Sequence, residues 1–279
     1  MSFLTCGRFD IDLSEPRIMA IINLTDDSFS GDGLRGDVWA ALARAEQALA
    51  DGAEILDLGA ESTRPGCDPV AEEVEIARIV AAVEALHPLD VPLSIDTLKP
   101  GVMRAALAAG ADMINDINGL RAPGAVDAVA ASRCGLCVMH MQGEPRTMQH
   151  RPHYDDVLAE VSAFFDERLR ALDAAGVERG RIVLDPGFGF GKTLEHNLLL
   201  LSRLDETTCE GLPILAGMSR KSMLGEIIGR PVDQRLIASV AAALIAAERG
   251  ARILRVHDVA ETRDALSVWQ AVAAARANC

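Results

Sequence analysis

Polar residues close one short apolar run after another in this chain. Asn23, Asp57, Asp96, Asn115 with Asp116, His140, Asp185 and His257 each end a stretch rich in Ile, Val and Leu. One such residue is as readily a turn former or a helix cap. The same ending on run after run is harder to assign to caps. Carboxylates and amides that converge form a ring of acceptors and donors, able to recognise a polar heterocycle by matching its edges. A cationic group joins them. Arg220, Lys221 and Ser222 in MSRKS open a helical stretch, and Arg255 and His257 sit in ILRVH. Arg255 lies inside a buried strand pattern, where an unpaired charge is costly, so an anion is expected beside it. For Arg220 and Lys221 the alternative is a solvated surface pair.

DPGFGFGKT, residues 185–193, looks like a phosphate cradle, and its spacing excludes one. A nucleotide P-loop needs G-x-x-x-x-G-K-[ST]. Counting back from Gly191, Lys192 and Thr193, the first glycine position holds Pro186, which has no N–H to offer. A G-x-G-x-x-G dinucleotide loop fails as well, because Lys192 stands at the third glycine. Two long loops, NLTDDSFSGDG (23–33) and GAESTRPGCDP (59–69), are rich in Gly, Ser, Thr and Asp and carry Phe29 and Arg64. Loops of this kind in a compact domain tend to be clamps or lids. Cys134 and Cys137 form a C-x-x-C, but no second pair stands at zinc-ligand spacing, and buried reduced thiols are the expectation.

The elements that must position these residues are repetitive. Strands are predicted at 17–23, 54–59, 91–96, 113–117, 136–140, 181–185, 213–217 and 253–257, each followed by a segment of helical character. Near-continuous apolar strands indicate a parallel sheet buried on both faces. Gly52, Gly110, Gly176 and Gly250 each stop an Ala-rich helix before the next strand. Eight βα units in 279 residues predict a single (β/α)8 barrel, with an open doubly wound sheet as the alternative. In a barrel the polar endings fall together at the C-terminal face, and an anion site is expected near the last two strands.

Bulk properties narrow the partners. A formal net charge of −14 speaks against nucleic acid and anionic membranes. The longest near-apolar run, 236–247, is too short to span a bilayer, and residues 1–16 hold no apolar signal region. A cytoplasmic enzyme with small-molecule substrates is expected.

NLTDDSFSGDG, ESTRPG, SIDT, NDING, DPGFGFGKTLEHN, SRKS and RVHD, in this order and spanning nearly the whole chain, resemble the motifs of the dihydropteroate synthases. MHMQGEPRTMQ fits the same pattern. The resemblance implies a (β/α)8 barrel, usually a homodimer, joining 6-hydroxymethyl-7,8-dihydropterin diphosphate to 4-aminobenzoate. The family's pterin pocket maps onto Asp96, Asn115, Asp185 and Lys221, with Arg255 stacked on the pterin plane. Asn23, Arg64, Arg255 and His257 would bind the diphosphate, and Asn23 would be the protein ligand of a Mg2+ ion. Phe29, Thr63, Pro65, Phe190 and Ser222 would frame the aminobenzoate. Asp96, Lys221, Arg255 and His257 carry the catalytic expectation, and Lys192 is not expected to touch substrate. Asp26, the order SGDG in the first loop and Leu98 depart from the common pattern. Rival readings are a pterin-binding methyltransferase, a non-catalytic pterin-binding paralogue and a metal-dependent barrel hydrolase.

Overall fold

The computed structural model describes residues 3–24, 38–61 and 69–277. Its frame is a closed barrel of eight parallel strands. In chain order these are β3 (Arg17–Asn23), β4 (Ile55–Gly59), β5 (Leu93–Asp96), β6 (Met113–Asp116), β7 (Gly135–Met139), β8 (Ile182–Asp185), β9 (Ile214–Ala216) and β10 (Ala251–Val256), and β10 closes onto β3 through Ile253 opposite Arg17. The barrel, not the open sheet, is therefore the fold. Each strand lies at or within two residues of its predicted position. His140 and His257 stand one residue past β7 and β10, on the exit loops.

The helices α1 (Val38–Ala50), α2 (Glu72–Leu86), α3 (Pro100–Ala109), α4 (Ala125–Ala130), α5 (Val157–Ala174), α6 (Leu194–Ser202), α7 (Ser222–Ile228), α8 (Leu236–Glu248) and α9 (Val259–Ala277) wrap the outside. Two of them, α7 and α8, share the connection from β9 to β10, where one was expected. The four helix-stop glycines all adopt positive φ. The main core lies between strands and helices, built from outward-facing strand residues such as Ile18, Leu56, Ile95 and Leu136 and from helix residues such as Ile79, Val102 and Phe165. No helix among the described residues is long and apolar enough to cross a membrane.

An antiparallel hairpin that the sequence does not announce, β1 (Phe3–Cys6) with β2 (Phe9–Asp12), plugs the barrel's N-terminal end. Leu4, Cys6, Ile11 and Leu13 pack there against the lowest inward-facing strand residues, among them Met19, Ile55, Met113, Val183 and Ile253. The hairpin is tied down where Arg8 donates to both carboxylate oxygens of buried Asp112, at 3.0 and 2.9 Å.

Strand side chains alternate between faces. Above the apolar plug, the inward positions turn polar. Asp57 and Ser94 are register partners, and one step higher Asn23, Gly59, Asp96 and Asn115 pair across four neighbouring strands. The polar layers thus occupy the C-terminal half of the lumen.

Candidate active site

Those layers floor a cavity of about 620 Å³ at the C-terminal face. Every predicted site residue among the described residues lines it: Asn23, Asp96, Asn115, Asp185, Phe190, Lys221, Ser222, Arg255 and His257. Phe29, Thr63, Arg64 and Pro65 lie outside the described residues. Of the other polar strand endings, Asp57 sits beneath the floor, while Asp116 and His140 face elsewhere. Asp116 caps a turn, accepting from the backbone N–H groups of Asn118 at 2.7 Å and Leu120 at 2.8 Å. Asn115 and Asp116 are adjacent in a strand, so only one of them can face the lumen.

Arg255 is the hub of the floor. Its Nε donates to Asp57 at 2.6 Å and its Nη2 to Asp96 at 2.7 Å. Burial works against its charge, but the Asp57 and Asp96 carboxylates outweigh burial and hold it firmly protonated. Asp57 is fully buried and also accepts from Ser94 Oγ at 2.6 Å and from the amide nitrogen of Asn115 at 3.2 Å. That bond commits the Asn115 NH2 and leaves its amide oxygen as the acceptor. Asp96 keeps one carboxylate oxygen, Oδ1, buried with no protein partner. Buried polar oxygens are normally hydrogen-bonded, so this one suits a donor that none of the described residues provides. Burial raises the Asp96 carboxyl above its ordinary range, with Arg255 opposing. Asp185 is also raised by burial, with Lys221 opposing, and its Oδ1 accepts from Gly187 N–H at 2.7 Å.

One wall is a sharp turn after β9. Arg220 adopts φ 60°, a left-handed conformation uncommon outside glycine. It is held there by Asp258, 2.6 Å from its guanidinium, by Ser239 Oγ accepting from its N–H at 2.9 Å, and by Arg235 donating to its carbonyl at 3.0 Å. The turn presents Ser219, Arg220, Lys221 and Ser222 to the cavity, so the surface-pair alternative for Arg220 and Lys221 fails. Lys221 Nζ donates to the Phe188 carbonyl at 2.5 Å and lies 4.6 Å from the Phe190 ring centroid, a cation–π contact. Burial lowers the Lys221 ammonium to about 8, with Asp185 opposing. Ser219 Oγ lies 3.0 Å from His257 Nδ1 and fixes that ring.

Sequence reasoning placed Asp57 in the ring of polar strand endings without giving it a role, and did not assign Ser94, Ser219, Glu61 or Arg235 to the site. An Asp in the middle of the apolar run ILDLG was the available signal for Asp57, because a buried carboxylate needs partners. Glu61 lines the cavity and is gripped by Lys99, which also donates to Glu75 at 2.6 Å. Nothing in the local sequence marks Arg235. Lys192 is buried behind the wall and does not line the cavity. His140, next to it, is pushed down to about 2 by burial and by Lys192, and is therefore neutral. Burial lowers Lys192 to about 7, with Asp185 opposing.

A closed βα barrel carrying a buried, acceptor-rich floor and a cationic wall at the C-terminal ends of its strands defines a barrel enzyme for a flat polar heterocycle that bears an anionic group. The comparisons agree. The family of pterin binding enzymes matches residues 19–257. The dihydropteroate synthase of Haemophilus influenzae is 48% identical over 94% of this chain and 96% of its own length. A crystal structure of Burkholderia cenocepacia dihydropteroate synthase complexed with 7,8-dihydropteroate is 55% identical, with TM-score 0.91, covering 100% of this chain and 99% of that one. Xanthomonas albilineans dihydropteroate synthase with 4-aminobenzoic acid is 49% identical, with TM-score 0.90, covering 98% of both chains. The chain belongs to the pterin binding enzymes and, within them, to the dihydropteroate synthases.

Proposed function

We propose that this chain, read as one pterin-binding barrel domain over residues 1–279, joins 6-hydroxymethyl-7,8-dihydropterin diphosphate to 4-aminobenzoate, giving 7,8-dihydropteroate and diphosphate. The observation that carries the residue assignment is the unpartnered Asp96 Oδ1 on a floor of acceptors. A pterin offers a row of N–H donors along one edge. Asp185, the Asn115 amide oxygen and Asp96 are the acceptors that suit them, and Arg255 would stack on the ring plane.

The diphosphate would lie towards Asn23, Arg255 and His257, with Arg64. Mg2+ typically takes few protein ligands and is held largely by substrate phosphates and water. Among the described residues no three His, Cys, Asp or Glu side chains gather where an ion could be held. The half-buried Asn23 amide on the cavity rim fits a single-ligand role for an ion that arrives with the diphosphate. When bound, the ion would offset charge on the leaving oxygens.

The reaction breaks the bond between the pterin methylene and the diphosphate oxygen and forms a bond from that carbon to the aminobenzoate nitrogen, which loses a proton. Cationic charge builds on the methylene as the bond breaks, and the Asp96 carboxylate beneath is positioned to stabilise it. Arg255 and His257 stabilise the opposite charge on the leaving group. Phe190, the aliphatic stem of Lys221 and Ser222 would frame the aminobenzoate, with Phe29, Thr63 and Pro65. No covalent intermediate is required, so rate enhancement rests on positioning and electrostatics.

A diphosphate-release assay with each substrate omitted in turn tests this reading. Release should need both substrates, and release without 4-aminobenzoate overturns it. The four described cysteines are buried free thiols, which suits a reducing cytoplasm. We also read the protein as a homodimer, because α8 and α9 expose apolar side chains with no cover in one chain.

A further inference from the structure

The chain has only three lysines, beside 24 arginines. Lys221 is in the cavity and Lys99 grips Glu61 at its rim. Lys192 lines no part of the cavity. It is 3% exposed and sits behind the loop from β8 to α6, on the side away from the cavity. Burying an ammonium is costly unless its protons are satisfied. Here its Nζ donates to the carbonyls of Gly187 at 3.0 Å and Phe190 at 3.1 Å, and it lies 2.9 Å from His140 Nδ1. Since His140 is neutral, that nitrogen can accept. All three contacts draw residues 187–190 against the end of β7.

The fit is close. A Cβ on Gly187 would meet the His140 carbonyl oxygen at 1.9 Å, and one on Gly191 would meet the Gln142 carbonyl oxygen at 2.5 Å. The other face of the same loop holds Lys221, through the Phe188 carbonyl and the Phe190 ring. One continuous chain of contacts therefore runs from Lys192 through the loop to Lys221, although Lys192 itself does not line the cavity.

We propose that Lys192, with His140 as its acceptor, is a positioning residue that fixes the 187–190 loop so that Phe190 and Lys221 form the wall for the second substrate. The substrate assignment rests on the reaction proposed above; the hold on Lys221 does not. Loss of the Lys192 contacts lets Phe190 rotate and releases Lys221 from the Phe188 carbonyl, while Asp96, Asn115 and Arg255, fixed by their own strands, stay in place.

Two readouts test this in the full-length protein. The first is amine acetylation followed by mass spectrometry, which is unambiguous with so few lysines. In Lys192→Met the acetylation rate of Lys221 should rise at least about threefold, a change the size of a lost charged hydrogen bond or less, with Lys99 unaffected. An unchanged Lys221 rate overturns the proposal whatever the enzyme catalyses. The second is a double-mutant cycle on the KM for 4-aminobenzoate. Lys192→Met and Phe190→Ala should each raise it about tenfold, and together by little more than either alone, as expected for residues acting as one unit. Binding of 6-hydroxymethylpterin should weaken by clearly less than the aminobenzoate KM rises, since Asp96 and Asn115 are held by their own strands and only Asp185 shares a hydrogen bond with the loop. Additive KM effects, or equal losses for both substrates, overturn the proposal. Failure of the parent enzyme to require 4-aminobenzoate instead overturns the reaction and leaves the acetylation arm to decide Lys192. If Lys192→Met does not fold, His140→Phe removes the acceptor 2.9 Å from Lys192 Nζ instead. It should raise Lys221 acetylation and the aminobenzoate KM in the same direction, and no change in either overturns the proposal.

Discussion

Arg255 shows why a cavity residue can also be structural. Its guanidinium separates two carboxylates that would otherwise share a buried floor, Asp57 at 2.6 Å and Asp96 at 2.7 Å. Arg255→Ala should therefore cost about 3–5 kcal/mol of stability as well as diphosphate affinity, because it leaves buried charge uncompensated. Adding Asp57→Asn should restore part of the urea midpoint and none of the turnover; full retention of the midpoint by Arg255→Ala would show that the fork carries no stability. Asp185 is different. It shares no ion pair with Arg255, so Asp185→Ala should leave the urea midpoint nearly unchanged and abolish pterin binding by titration calorimetry. Lys221 gives a pH prediction. Its ordinary lysine value is lowered by burial to about 8. Above that value the ammonium is lost, and kcat/KM should fall along an alkaline limb centred near 8. Its contribution to stability has the opposite sign. A lowered folded value means that the unfolded chain binds more protons between about 8 and the ordinary value, so stability rises with pH across that window. Lys221→Arg keeps the charge at all working pH and should remove the limb, whatever its own rate.

At the scale of elements, the strands were legible because each is a near-continuous apolar run, as a sheet covered by helices requires. The barrel's polar lumen was legible only in part. Alternation in a strand assigns faces in pairs, but NDI does not say whether Asn115 or Asp116 looks inward, and ILDLG shows an inward Asp57 without saying that it serves Arg255 from beneath the floor. His140 read as a member of the ring, yet it stands beyond β7 and serves Lys192 instead. The hairpin β1–β2 was illegible because FLTC and FDID are four residues each and mix polar with apolar side chains. Its apolar positions gain meaning only when the barrel end they plug exists. That position yields a prediction. Leu4 is fully buried in the plug, at the opposite end from the cavity. Leu4→Ala should cost about 2–5 kcal/mol through a cavity that the plug cannot collapse to fill. Turnover should be unchanged, since conservation of shape at that face serves stability and the chemistry belongs to the other. Denaturant unfolding and steady-state rates on one preparation check both halves, and a fall in kcat without a fall in stability would contradict the division.

At the scale of the molecule, α8 is the element that one chain does not explain. LIASVAAALIAA is apolar almost all round, a composition expected of a helix covered on every side. In one chain only one side is covered. Ala242, Ala243, Ala246 and Ala247 are buried on the barrel, while Ile237 is 75% exposed and Ile245 stands outward with it. On the neighbouring α9, Val268 and Val272, one turn apart, are exposed at 67% and 66%. The two helices pack side by side, and we infer an apolar face that spans both. A second copy meeting it across a two-fold axis would match the face with itself and cover both. Ile237→Asp places a charge in the middle of that contact and should convert a dimer into a monomer in sedimentation velocity. Ile237 does not line the cavity, so the monomer should keep kcat within about twofold, as for a surface change remote from the site. Its melting temperature should fall and become independent of concentration, whereas that of the parent should rise with concentration, because association adds stability by mass action. An unchanged sedimentation coefficient would remove α8 from the interface and leave its exposed isoleucines without a partner.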